Sequence, residues 1–172
     1  MTKVLFDTNV YTALLKEGEN GKSLILRAAA LGFGFCGFEE VRYELKSAPR
    51  MITTFSKNLR ADLLRLYEAI IMREYLFEQR MMDLAVEYYE AYRTLGGGIA
   101  HRDIITDFLI VACASLKQVG VVVSQDSKSM LNFYARKAYA EVNARHDLAF
   151  PKLWAYEEFK AEVAKKARIG VK

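Results

Sequence analysis

Five acidic residues in this chain stand where ordinary surface acids do not. Asp7 ends a short apolar run, VLF, close to residue 1, and Asp126 follows the apolar run VGVVVSQ. Ligands of open α/β sheets bind beyond the carboxyl ends of the strands. If these two runs are neighbouring strands, both carboxylates meet at one edge of a sheet. Asp107 lies in IITDFLIVACA, where nearly every neighbour is apolar. An ionised carboxylate there is costly unless it faces water, a cation or a helix N-terminus. Asp103 is one helical turn earlier, on the same face. Glu44, in EEVRYELKS, lies near apolar Val41 and Leu45.

Carboxylates that converge repel one another, and one of them takes up a proton unless a cation compensates. Hard oxygen ligands suit Mg²⁺ or Mn²⁺. Mg²⁺ keeps several waters, so an all-acid site leaves room for a phosphodiester oxygen and an attacking water. One or two ions would polarise the phosphate, lower the pKa of the water and stabilise the leaving oxygen. Each acid also has a plain structural alternative. Asp7 could cap a helix, and Asp103 or Asp107 could favour a helix dipole. Asp126 could be a turn residue, and Glu44 could pair with Arg42 or Lys46.

The elements that must position these acids alternate between short apolar strands and helices. Strands are expected at Val4–Phe6, Phe33–Cys36, Tyr75–Phe77, Val119–Ser124 and Leu148–Phe150. Helices are expected at Val10–Leu15 with Thr8 or Asn9 as N-cap, then at Ser23–Leu31 after a turn over Glu17–Gly21. Further helices are expected at Phe38–Lys46, Phe55–Ile71, Arg80–Leu95, Asp103–Lys117, Ser127–Tyr139 and Glu157–Arg168. Val119–Ser124 is a continuous apolar run of the kind that fills the centre of a parallel sheet. The alternation predicts an α/β protein whose parallel sheet is covered on both faces.

The length, 172 residues, and a composition 52% hydrophobic and 27% charged predict one folded domain rather than a disordered chain. A formal charge of +4 is compatible with a polyanionic partner. The two cysteines, Cys36 and Cys113, sit in apolar runs and read as buried thiols; with only two histidines, a zinc site is not expected. No signal peptide or run of about 20 apolar residues is visible, so the protein is expected to be soluble and cytoplasmic, without a membrane partner.

Four blocks of the chain resemble those of PIN-domain ribonucleases, in family order. VLFDTNVYTALL resembles the opening strand and helix, FEEVRYELKS the helix ending in Glu-Leu, TDFLIVACAS the D-x-x-I-x-A-x-A helix, and VVVSQDSKSM the final motif strand. The small size and the first block are most similar to the VapC-like toxin branch. The resemblance spans roughly residues 3 to 150 of a single domain over 1–172, followed by a helical tail. It implies a three-layer α/β/α fold with a parallel sheet of order 3-2-1-4-5. It implies that Asp7, Glu44, Asp107 and Asp126 hold Mg²⁺ or Mn²⁺ and catalyse RNA cleavage, leaving 5′-phosphate and 3′-hydroxyl ends. Asn9 and Ser124 would orient the carboxylates, and Asp103 is a fifth acid without an assured counterpart. Implied partners are RNA, a second copy of the chain and a cognate antitoxin. The alternatives carried with it are a catalytically weak RNA-binding scaffold and a nuclease for ribosomal RNA processing or structured DNA. The chain is longer than usual for that branch, in the helices between Ile52 and Leu95 and after Pro151.

Other signals are weaker. GENGKS lacks the first glycine of a phosphate-binding P-loop, since Lys16 occupies that position, and it follows a helix rather than a strand. A dehalogenase-type phosphatase needs a second acid where Asn9 stands. EYYEAY could form a Tyr-rich interface. Lys46, Arg50, Lys57 and Arg60 could contact phosphates, and KKARIGVK reads as a frayed basic tail.

Overall fold

Five short strands and eight helices alternate in the computed structural model, which describes residues 1–49 and 51–169. The strands are β1 (Thr2–Phe6), β2 (Phe33–Phe38), β3 (Arg73–Tyr75), β4 (Val121–Ser124) and β5 (Lys152–Ala155). They form one all-parallel sheet in the order β3-β2-β1-β4-β5, the order implied by the resemblance. Every residue of β2 and of β4 is buried, so helices cover both faces of the sheet.

The helices are α1 (Thr8–Glu17), α2 (Glu19–Ala30), α3 (Glu39–Ser47), α4 (Leu59–Ile70), α5 (Gln79–Thr94), α6 (His101–Leu116), α7 (Phe133–Arg145) and α8 (Tyr156–Ile169). α5 packs on α6 and α7, while α1 packs on α2 and α4 and α2 meets α8. Aromatic rings fill the two layers. Phe159 meets Phe6 and Phe35 edge-on in one, and Tyr88, Phe108 and Tyr139 meet edge-on in the other. The apolar helix α6 is buried continuously from Phe108 to Ser115, as its composition requires. Cys36 and Cys113 are buried free thiols. No described helix is long and apolar enough to cross a membrane.

Several boundaries differ from those expected, each for a local reason. The turn after α1 shrinks to Gly18, whose φ of +57° suits glycine, and α2 begins at once. α4 starts at Leu59 because the Asn58 side chain accepts from the Ala61 amide. β3 ends at Tyr75, and the Phe77 amide is taken by the Glu39 carboxylate. The last strand is not Leu148–Phe150. Leu148 closes the end of α7 by donating to the Asn143 carbonyl, and pairing with β4 starts when Lys152 donates to the Gly120 carbonyl, after Pro151. α7 begins at Phe133 rather than Ser127, because residues 126–132 are drawn into a turn around Asp126. The C-terminal segment is helical through Ile169, with Lys166 over the Phe33 ring, so it is not frayed over its described part.

Candidate active site

The register of the two central strands builds the site. Phe6 pairs with Val123, and the Asp7 amide donates to the Val123 carbonyl at 2.9 Å. Asp7 and Ser124 therefore leave the sheet side by side. The Ser124 hydroxyl donates to Asp7 Oδ2 at 2.6 Å and accepts from the Asp126 amide at 2.9 Å. Asn9 closes the group. Its Nδ2 donates to Asp7 Oδ2 at 2.5 Å, and its Oδ1 accepts from the Gln125 amide at 2.9 Å. Asp7 also caps α1 by accepting from the Thr8 amide at 2.7 Å, so its structural alternative and its place in the acid cluster hold together.

The other two acids join through hydroxyl groups. The Thr8 hydroxyl donates to Glu44 Oε2, bringing α3 to the start of α1. The Ser129 hydroxyl donates to Asp107 Oδ2, and the Ser129 and Lys128 amides both donate to Asp126 Oδ1 at 2.8 Å. A continuous chain of contacts thus runs Glu44, Thr8, Asp7, Ser124, Asp126, Ser129, Asp107 across four elements. Ser129 is buried and was not singled out in the sequence. Its signal was its place three residues after Asp126, the spacing at which an aspartate side chain captures a following amide. Thr8 was read only as a cap.

Electrostatics separate the acids. Burial is the main cause that pushes Asp7 up to about 6; hydrogen bonds from Ser124 and Thr8 oppose it, and the charges of Glu44 and Asp126 add to it. Burial likewise pushes Asp107 up to about 7, opposed by Ser129 and reinforced by Asp7, Asp126 and Glu44. Burial also acts on Asp126, but the hydrogen bonds from Ser129 and Lys128 outweigh it and hold that carboxyl below its usual range. Glu44 is exposed and is not neutralised by its neighbours on α3: Arg42 reaches Glu68 at 3.2 Å and Glu74 at 3.7 Å, and Lys46 lies over the Tyr43 ring. Asp103 is exposed and pairs with Arg102 at 3.4 Å in the first turn of α6.

Among the described residues, no three Asp, Glu, His or Cys side chains close into a finished metal cage. The carboxylates face hydroxyl and amide donors instead. The donor set is nevertheless all hard oxygen, and a divalent cation would offset both the burial that chiefly raises Asp7 and Asp107 and the repulsion that adds to it. Beside it lies a shallow cavity of about 270 Å³ lined by Asn9, Gln125, Asp126, Ser127 and Lys128.

The expected phosphate contacts fare unevenly. Arg60 is committed to the Ala48 carbonyl at 2.6 Å, Lys57 is exposed, and Arg50 lies outside the described residues, as do residues 170–172 of the basic tail. In EYYEAY, Tyr88 and Tyr92 are core residues, so the stretch is no Tyr-rich surface.

An all-parallel five-stranded sheet in this order, flanked by helices, makes this a PIN-like α/β fold. A chain in the crystal structure of VapBC2 from Rickettsia felis, bound to a DNA fragment from its promoter, is similar over 90% of this chain and 99% of that one, with a TM-score of 0.56 and 12% identity. No protein-family model and no curated protein sequence matches the chain.

Proposed function

We propose that this protein is a Mg²⁺- or Mn²⁺-dependent endoribonuclease. The observation that carries the reading is the linked set of Asp7, Asp107, Asp126 and Glu44 at the carboxyl edge of β1 and β4, with Asp7 and Asp107 raised chiefly by burial and further by the charges of neighbouring acids. Asp7, Asp107 and Asp126 would hold the ion, and Glu44 would hold it or position the attacking water. The ion, when bound, polarises the phosphodiester and favours ionisation of the water. The chain's own groups do the rest. Ser124 and Asn9 fix the Asp7 carboxylate, the amides of Lys128 and Ser129 keep Asp126 ionised, and the Ser129 hydroxyl orients Asp107.

We further propose that the enzyme acts as the toxin of a type II toxin–antitoxin pair in the cytoplasm, as a homodimer with an antitoxin partner. The fold shared with a chain of VapBC2 supports this reading. A neighbouring gene for a small DNA-binding protein is the observation that would weigh most for it.

Asp7→Asn is expected to abolish Mn²⁺-dependent cleavage of single-stranded RNA while the circular dichroism spectrum stays that of the folded protein. Cleavage at the wild-type rate would remove Asp7 from the mechanism. Calorimetric titration separates the reading from a scaffold: no heat at millimolar Mn²⁺ would favour an RNA-binding protein with little catalysis.

A further inference from the structure

Most of the aromatic residues are core, but two large rings stand exposed just after the turn that carries Asp126. Phe133 is 63% exposed and Tyr134 is 42% exposed, at the first two positions of α7. The turn before them is tied to the site. The Leu131 amide donates to the Asp126 carbonyl, Asn132 donates to the Lys128 carbonyl and caps α7, and Ser129 holds Asp107. Phe133 follows Ser129 by four residues, so its backbone lies within roughly 20 Å of the Asp107 carboxylate. That is a reach of a few nucleotides.

The rings are held rather than loose. They meet edge-to-face with centroids 5.6 Å apart. The Lys137 ammonium lies over the Phe133 ring at 4.5 Å. Tyr134 rests against the loop between α5 and α6, where a Cβ on Gly96 would meet its ring at 3.7 Å. The neighbouring surface is polar and cationic: Gln125, Ser127, Lys128 and Lys137 are all exposed. An apolar protein helix would gain little from those neighbours. A chain of unstacked bases joined by phosphates suits both parts, the π-faces for the bases and the ammonium groups for the backbone.

We propose that Phe133 and Tyr134 form a base-stacking subsite for single-stranded RNA beside the carboxylate cluster, with Lys128 and Lys137 contacting phosphates. The proposal rests on the nuclease reading and names how that site takes its substrate. Stacking on exposed rings is tolerant of base identity, so the subsite selects unpaired strands rather than a sequence.

The test measures binding of a fluorescent single-stranded RNA to the full chain by anisotropy in EDTA, then steady-state cleavage in Mn²⁺. Phe133→Ser and Tyr134→Ser are expected to weaken binding roughly fivefold or more each. Phe133→Trp is expected to restore it. The loss should vanish with a duplex of the same sequence and with an abasic strand, and in Mn²⁺ KM should rise more than kcat falls. Unchanged Kd and KM, or an equal loss on duplex and abasic strands, would overturn the subsite. Dissociation of a dimer or loss of a protein partner with RNA affinity retained would assign the rings to a protein interface and overturn it too. Ring-dependent binding without cleavage would sink the nuclease reading and leave the subsite standing. Cleavage indifferent to the rings would do the reverse, and no binding of single-stranded RNA at all would end the subsite.

Discussion

The phenol of Tyr139 is fully buried between the rings of Tyr88 and Phe108, and its hydroxyl has no hydrogen-bond partner among the described residues. Leaving such a group unsatisfied costs about 1–3 kcal/mol. Tyr139→Phe keeps the ring and removes the orphan, so it is expected to raise stability by about 1 kcal/mol in a urea titration. Tyr88→Phe is the contrast. Its hydroxyl donates to Asn143 Oδ1, and it lies 3.3 Å from the Ser115 hydroxyl, so the same titration should show a loss of about 1–2 kcal/mol. At this scale the acids were partly legible. Asp7 and Asp126 were marked by position at strand ends, and Asp107 by an apolar setting that a carboxylate tolerates only with a partner. That partner, Ser129, was not legible, because a serine in a polar turn carries no signal until the turn folds back onto α6. Asp103, on the same face one turn away, is exposed and paired with Arg102, since the N-terminal turn of α6 lies in solvent.

The turn over residues 126–132 is the element that joins the site to α7. Asn132 caps α7 by accepting from the Ala135 amide at 2.8 Å and donates to the Lys128 carbonyl at 2.8 Å. Asn132→Ala removes both bonds at once. It is expected to lower stability by about 1–2 kcal/mol in a denaturant titration. It should also weaken Mn²⁺ binding by calorimetry, because Lys128 and Ser129 present their amides to Asp126 from this turn. A loss of stability with unchanged metal affinity would show that the turn supports only the helix. Here the structure also departs from the local pattern of the sequence. SKSMLNFY reads as helix from Ser127, but the Leu131 amide reaches back to the Asp126 carbonyl and Asn132 caps a helix that starts only at Phe133. β5 was misplaced for a related reason. LAF is the more apolar triplet, and only pairing with β4 shows that KLWA is the strand. By contrast, β4 and α6 were read nearly to their ends, because a continuous apolar run admits few other fates.

Across the whole molecule, the raised carboxyls set how stability depends on pH. Unfolded aspartates ionise near 3.9, whereas Asp7 and Asp107 hold their protons to about 6 and about 7 in the fold. Below about pH 4 both states are protonated and these groups contribute nothing. Between about pH 4 and 7 the folded state binds more protons than the unfolded state, so stability falls as pH rises. Asp126, held low, acts in the opposite sense and only below about pH 4, where its contribution is lost as it protonates. The metal-free protein is therefore expected to melt roughly 5–10 °C higher at pH 5 than at pH 8. Mn²⁺ or Asp107→Asn should recover most of the difference at pH 8, and scanning calorimetry checks both. A flat pH profile would mean that the carboxylates are solvated and separate.

What the sequence determined by itself was the class of fold and the kinds of residue at the sheet's edge, since strand and helix follow from hydrophobic period and an acid after an apolar run is a local feature. What only the tertiary structure decided was the register that sets Asp7 beside Ser124, 117 residues apart in the chain, and the hydroxyl links that gather Glu44 and Asp107 from helices 36 and 22 residues removed from their partners. Those contacts arise where the chain returns to the same sheet edge, and no local pattern encodes which residue it will meet there.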